Sequence, residues 1–197
     1  MPQLSEIQDI ENTRLILWDL MLEETVSNTI NLPTHIHHPK RIIEYLSTQK
    51  MKEALEIFKP ISHFENGKPF IHDGPHISIS HGTKIAGFIR SDKPVGLDIQ
   101  QISPQIGRIR NKFCHPDELN DAQQSEDELA YLTLLWSAKE AVFKIYGEGL
   151  VFAEQIRIGP LKNDRNIALA MIYKNSETHM HEIKWQWIKG HVIVWSF

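Results

Sequence analysis

Asp98 stands inside the apolar run Gly96-Leu-Asp-Ile99, and Lys139, Glu140 and Lys144 stand inside a longer apolar pattern around Trp136. A carboxylate in mid-strand has to be paired or bound to a metal, because leaving it desolvated and alone is costly. On a helical wheel at about 100° per residue, Leu132, Trp136, Phe143 and Tyr146 share one face, widened by Leu129, Leu135 and Val142, and Lys139 falls in the middle of that stripe. Glu140 and Lys144 lie beside the stripe one turn apart, so a carboxylate and an ammonium project from one edge of a buried helix. Glu followed by Lys four residues on is a common helix-stabilising surface pair, and Lys139 could snorkel along its own stem. On this stretch alone the structural reading stands ahead of the functional one, although charge at the centre of an apolar face asks for a partner.

The elements that must position these groups can be read in order. Arg14 to Leu20 forms a buried strand, and Thr25 to Pro33 reads as linker. Pro39 suits the first turn of a helix that runs with helical periodicity from Lys40 to Phe58, with Lys40, Arg41, Lys50 and Lys52 on its polar face. Asn66-Gly67-Lys68-Pro69 is a turn. His76 to Ser80 alternates as a strand that His81-Gly82 ends. Ala86 to Ser91 and Pro94 to Gln100 are strands joined by a turn at Asp92-Lys93. Two short helices follow, Ile106 to Phe113 and one opening at His115-Pro-Asp-Glu, whose proline and acids suit a first turn. The central helix spans Glu128 to Tyr146 and stops at Gly147-Glu-Gly149. Beyond it the chain is strand-rich: Gln155–Ile158, Ile167–Tyr173, and a hairpin of Glu182–Ile188 with His191–Phe197 about Lys189-Gly190. The pattern is α+β in two similar units, 1–100 and 101–197, forming one compact body.

Composition narrows the function. With 197 residues, 41% hydrophobic and 23% charged, the chain is an ordinary globular protein able to bury a core without staples. A net charge of -4 removes the global basic field expected of a nucleic-acid binder while leaving room for a local anion pocket. Trp185, Trp187 and Trp195 alternate as strand faces should and read as packing, not as a stacking platform. The single cysteine, Cys114, excludes an intrachain disulfide framework, fits a reducing compartment and reads as a small buried apolar residue. The first residues lack a signal-peptide layout, and no apolar run approaches the ~20 residues of a membrane helix, so a cytoplasmic protein is expected. His35-Ile-His-His38 lacks the spacing and companions of a metal site.

Five motifs in one order carry a resemblance: Asn66-Gly-Lys-Pro69, Ser78-Ile-Ser-His81-Gly, Gly96-Leu-Asp98-Ile, Trp136-Ser-Ala-Lys-Glu-Ala-Val-Phe-Lys144 and Gly147-Glu-Gly-Leu150. Together they resemble the 4′-phosphopantetheinyl transferase superfamily, in its surfactin-type branch, over about residues 40–152. The resemblance implies a pseudo-dimer of two similar α/β subdomains with the active site in the cleft between them. It implies transfer of the phosphopantetheine arm of coenzyme A to a serine of an apo carrier protein, acyl, peptidyl or polyketide, with release of adenosine 3′,5′-bisphosphate. It implies Mg²⁺ held by Asp98 and Glu140, with Glu140 taking the serine proton and Lys144 neutralising phosphate oxygens; Lys68, Ser80, His81 and Lys139 add charge or hydrogen bonds to the phosphates. A monomer is expected, because one chain makes the cleft.

Two departures from the family pattern stand out. The strand usually continues to a third carboxylate, and here that position is Gln100, whose amide oxygen can ligate a hard cation but carries no charge. An arginine of the first helix often reaches the 3′-phosphate; Arg41, Lys50 and Lys52 are all candidates here. Two rival readings remain: a coenzyme A-binding protein of the same fold without turnover, for which Gln100 speaks, and a nucleic-acid or membrane-surface module built on the Lys40–Lys52 helix, against which the net acidity speaks. Segments such as Cys114 to Gln124, where a carrier would dock, hold no readable code for its identity.

Overall fold

The computed structural model describes residues 3–9 (backbone only), 12–20, 32–33, 36–161 and 165–197. Four antiparallel strands form the first sheet, in the order β1 (Gln3–Asp9), β2 (Thr13–Asp19), β6 (Ile85–Ser91), β5 (His76–His81). Five more form the second, in the order β7 (Gly96–Gln101), β11 (His191–Ser196), β10 (Glu177–Ile188), β9 (Ile167–Lys174), β8 (Ile156–Ile158). A two-residue pair, β3 (Ser62–His63) with β4 (Pro69–Phe70), brackets the Asn66-Gly67 turn.

Alternation along the strands stacks these sheets into layers. Ile16, Trp18, Ala86 and Phe88 turn to one side of the first sheet and pack on Met51 and Leu55 of α1 (Pro39–Ala54) and just beyond it. Leu15, Leu17, Ile85 and Ile89 turn to the other side and meet Leu97, Ile99, Ile193 and Trp195 of the second sheet. The remaining face of the second sheet buries Ala170, Ile172, Ile183, Trp185, Val192 and Val194 against α4 (Glu128–Tyr146). The result is helix on sheet on sheet on helix, the mixed α+β architecture expected. Three shorter helices, α2 (Pro104–Phe113), α3 (Pro116–Gln123) and α5 (Phe152–Gln155), complete the second half. Among the described residues no helix is long and apolar enough to cross a membrane.

Several expectations shift. β1 stands where the sequence shows only a polar, acidic beginning; its pairing with β2 supplies what its hydrophobicity does not. The first helix ends at Ala54, because Glu56 adopts a left-handed φ of 57° that a helix cannot continue through, although Leu55 and Ile57 are buried and prolong the apolar rhythm. The change of sheet falls between Ser91 and Gly96, ahead of the split placed near residue 100, because β7 pairs with β11. The Thr25–Pro33 linker and His35 fall mostly or wholly outside the described residues. The Lys189-Gly190 turn has both φ values positive, 49° and 74°, as a two-residue hairpin requires. Cys114 is buried and its thiol is pushed up to about 12 by desolvation, in keeping with an inert packing residue.

One glycine sets the distance between α4 and the second sheet. A β-carbon on Gly96 would collide with the carbonyl of Ala141 on α4, so only glycine lets the helix lie this close to β7. Gly96→Ala is expected to push helix and strand apart at a cost of about 1–3 kcal/mol, the usual range for overpacking. Urea denaturation measures it; an unchanged midpoint would show that the contact yields freely.

Candidate functional site

β5 and β7 are the facing edges of the two sheets, and they meet through side chains. Ser78 Oγ accepts the Leu97 amide at 3.0 Å, and Ser80 Oγ accepts the Ile99 amide at 3.1 Å. The strand pleat sends the intervening side chain, Asp98, to the opposite face, toward α4. There its carboxylate is buried and fully engaged. Ser137 Oγ donates to Oδ2 at 2.8 Å; Ser80 Oγ and Lys144 Nζ donate to Oδ1 at 3.2 and 2.9 Å. Lys144 also donates to the Leu97 carbonyl at 2.7 Å and to Ser80 Oγ at 3.2 Å. The partner that an isolated mid-strand carboxylate demands is therefore a lysine and two hydroxyls, contributed by both halves of the chain.

Glu140, one helical turn before Lys144, makes no hydrogen bond or ion pair among the described residues. Burial pushes its carboxyl up to about 6, the nearby Asp98 charge adds to the rise, and Lys144 opposes it. Gln100 follows Asp98 on the same face of β7, and its Nε2 donates to the Gln101 carbonyl at 3.2 Å. Asp98 and Glu140 are close enough for one charge to raise the proton affinity of the other, and carboxylate oxygens are the donors a hard cation takes. The mutual repulsion of Asp98 and Glu140 is what a divalent cation relieves, so these residues fit a magnesium ion.

Lys68 comes from the first half, on the turn after Asn66-Gly67. Its ammonium donates to the Ile145 carbonyl near the end of α4, and burial lowers its pKa. Gly147 closes α4 with a left-handed φ of 83° and lies against Asn66, where a β-carbon would sit 2.7 Å from the Asn66 amide. Between turn, strand and helix end lies a pocket of about 230 Å³ lined by Lys68, Ile77, Ser78, Ile79, Phe143 and Lys144, among others. A second recess of about 430 Å³ is lined by Ile36, His37, His38, Arg41, Glu44 and His81. His81 Nε2 lies 3.1 Å from Thr48 Oγ1 and 3.2 Å from the Glu44 carbonyl. Thr48 gives its own proton to that carbonyl at 2.7 Å, so the ring nitrogen is the donor to the hydroxyl. Burial lowers the His81 pKa, with Glu44 opposing.

The sequence-predicted residues separate into two groups. Asp98, Glu140, Lys144 and Ser80 converge, with Lys68 at the adjoining pocket and Gln100 farther along the Asp98 face. Arg41 is exposed, paired with Glu44 at 2.9 Å, and shares a recess with His81. Lys50 does not join them: it is exposed and lies 3.6 Å from Glu53. Lys139 is a correction. Its ammonium is fully enclosed and points into the second half, donating to Glu118 at 2.6 Å and to the carbonyls of Phe113, Ile156 and Phe152 at 2.8, 2.8 and 3.1 Å. Its place in the middle of the apolar stripe takes it to the core instead of the cleft. Sequence reading assigned no role to Ser137, although it precedes Glu140 and Lys144 by three and seven residues on the same helical face. It also missed Glu118, read only as a first-turn acid, which accepts from His115 N, Ile158 N and Lys139 together.

Residues 94–194 match the family model described as the 4′-phosphopantetheinyl transferase superfamily. The chain is 35% identical over 111 residues to the 4′-phosphopantetheinyl transferase psf-1 of Bacillus pumilus, covering 54% of this chain and 47% of that one. It is 32% identical over 111 residues to a 4′-phosphopantetheinyl transferase of Bacillus subtilis, 54% and 50% of the two chains. It is 32% identical over 116 residues to the 4′-phosphopantetheinyl transferase gsp of Aneurinibacillus migulanus, 57% and 47%. The chain thus matches about half the length of these curated relatives.

The buried Lys139–Glu118 pair yields a test of the correction. Lys139→Met strands a buried carboxylate and is expected to cost about 3–5 kcal/mol, whereas Lys139→Met with Glu118→Gln, which keeps an acceptor for the Ile158 amide, recovers much of that loss. Chemical denaturation of both variants reads it. Unchanged stability in Lys139→Met would return this lysine to the ligand-facing group.

Proposed function

This chain belongs to the 4′-phosphopantetheinyl transferase superfamily, and from that premise we propose that it transfers the 4′-phosphopantetheine arm of coenzyme A to a serine hydroxyl of an apo carrier protein. The observation that carries the reading is the junction of β5, β7 and α4, where Asp98, Lys144 and Ser80 are bonded together, Glu140 stands unpaired and Lys68 closes the adjoining pocket. The transfer is attack of the serine oxygen on the β-phosphorus of a pyrophosphate, with adenosine 3′,5′-bisphosphate leaving. Catalysis of that kind consists mostly of positioning and neutralisation of oxygen charge.

Each residue then has a task. Lys144 and Lys68, from opposite halves of the chain, neutralise pyrophosphate oxygens, and the Ser80 hydroxyl adds a donor. His81, held through Nε2 by Thr48, and Arg41 in the same recess serve the 3′-phosphate of the nucleotide end; that recess favours Arg41 over Lys50 and Lys52. Glu140, whose carboxylate no protein donor occupies, accepts the serine proton directly or through water. Ser137 and Ser80 fix the Asp98 carboxylate. Asp98, Glu140 and Gln100 would hold Mg²⁺, which when bound supplies charge neutralisation at the phosphate oxygens. The two halves act as a pseudo-dimer whose cleft lies within one chain, so the working unit is a monomer. Acyl, peptidyl and polyketide carriers all remain open as substrates. A cytoplasmic site of action suits the lone reduced cysteine.

The deciding measurement is the intact mass of a generic apo carrier protein after incubation with this protein, coenzyme A and Mg²⁺. The expected result is a gain of one phosphopantetheine arm, with the rate reduced by roughly 10²-fold or more in Glu140→Ala. Tight coenzyme A binding with no gain on several carriers would favour a binding protein of the same fold, for which the uncharged Gln100 speaks.

Gln100 has its own test. Adding a negative charge by Gln100→Glu is expected to tighten Mg²⁺ binding about tenfold, equivalent to roughly 1.4 kcal/mol of charge attraction. Calorimetric Mg²⁺ titration compares the two proteins, and equal affinities would remove residue 100 from the donor set.

A further inference from the structure

Away from the cleft, at the opposite end of the first sheet, two arginines face one another. Arg14 of β2 and Arg90 of β6 are direct cross-strand partners. Strand alternation puts them on the face that carries Ile16, Phe88 and α1, just where that helix runs out. Arg14 Nη2 donates to the Ala54 carbonyl at 3.2 Å, and Nη1 reaches Glu56 at 3.5 Å. The Glu56 side chain is 70% exposed, so that contact is screened by solvent. Arg90 has no side-chain hydrogen bond or ion pair among the described residues, and its Nε is enclosed with no acceptor. Like charges directly opposite destabilise a sheet, and an enclosed donor left unmet adds a further cost.

Both guanidinium groups line a pocket of about 600 Å³ together with Thr13, Gly74, His76 and Asp92. Among the described residues Asp92 is the one carboxylate in that lining, and the Asn12 amide donates to it at 2.8 Å. His76 lies four residues along β5 from Ser80, roughly 13 Å at the usual strand rise, so the pocket is separate from the seam of Ser80, Asp98 and Lys144, while Gly74 and His76 also line a recess that reaches Lys68. Two forked guanidinium groups side by side match the oxygens of a dianion, to which they donate in pairs. The volume is larger than a bare phosphate needs and leaves room for an organic portion.

We propose that this pocket is a second anion site, built to take a small phosphate ester between Arg14 and Arg90. It fixes a metabolite on the outer end of the first sheet, and it stands whether or not the transferase reading holds.

Titration of the full chain with inorganic phosphate and with glycerol 3-phosphate, followed by ¹⁵N NMR, tests it. The expected result is saturable movement of the Arg90 Nε–H signal and the Gly74 and His76 amides, with tighter saturation by the ester. Chloride at matched ionic strength leaves them still. Arg90→Gln is expected to weaken the movement of the Gly74 and His76 amides at least tenfold, and Arg14→Gln, the second variant should the first fail to fold, does the same. Lys144→Gln, at the seam, leaves the response intact. Signals that do not move, that move equally in the arginine variants, or that follow Lys144→Gln instead would overturn the proposal.

Discussion

The meeting of two sheet edges is the constraint on which the rest of the structure depends. β5 and β7 each end a sheet, and the Leu97 and Ile99 amides of β7 point away from β11 toward β5. An edge amide buried without an acceptor is costly. The chain meets the need with Ser78 and Ser80 hydroxyls, and Lys144 meets the Leu97 carbonyl. Hydroxyls, unlike a continuous backbone ladder, leave lone pairs and protons to spare, so Ser80 also binds Asp98 and Lys144. The seam that joins the halves is thereby also the proposed site. The groups proposed for chemistry cannot be loosened without loosening the joint.

α4 delivers this arrangement because it carries buried charge in two directions. Lys139 and Lys144 are five residues apart, about 140° around the helix, so one ammonium enters the second half and the other reaches the seam. The inward lysine is held by Glu118 and three carbonyls that belong to the last residue of α2 and the first residues of α5 and β8. It therefore fixes the rotation of α4 about its own axis, on which the aim of Ser137, Glu140 and Lys144 depends. Gly96 fixes the remaining variable, the distance from helix to strand.

Much of this was legible in the sequence. The limits of α4 agree with the sequence reading at both ends, since Asp127 caps the start and Gly147 adopts the left-handed stop. The isolation of Asp98 in apolar surroundings announced a paired carboxylate. Lys139 was misassigned because a wheel shows that a charge lies in the core stripe but not which element supplies its counter-charge; Glu118 is distant in sequence and doubles as the N3 acid of a capping box. Nothing local marks β1 as a strand, because its partner decides. Arg90 ended an apolar strand and raised no question until β2 placed Arg14 opposite it.

The charge balance of the seam also gives Gln100 a physical reading. Asp98 is matched by Lys144, and among the described residues Glu140 remains the one unmatched carboxylate there, with its proton affinity raised by burial and by Asp98. A third acid at position 100 would leave two unmatched charges on one face of a buried strand and helix, and like charges in a poorly solvated space repel strongly. An amide keeps an oxygen in place without that repulsion. The protein alone is then more nearly self-neutral, at the expense of the pull on a cation. On the proposed metal reading, residue 100 would set a balance between the stability of the seam and its affinity for a cation, and an amide there takes the side of the seam.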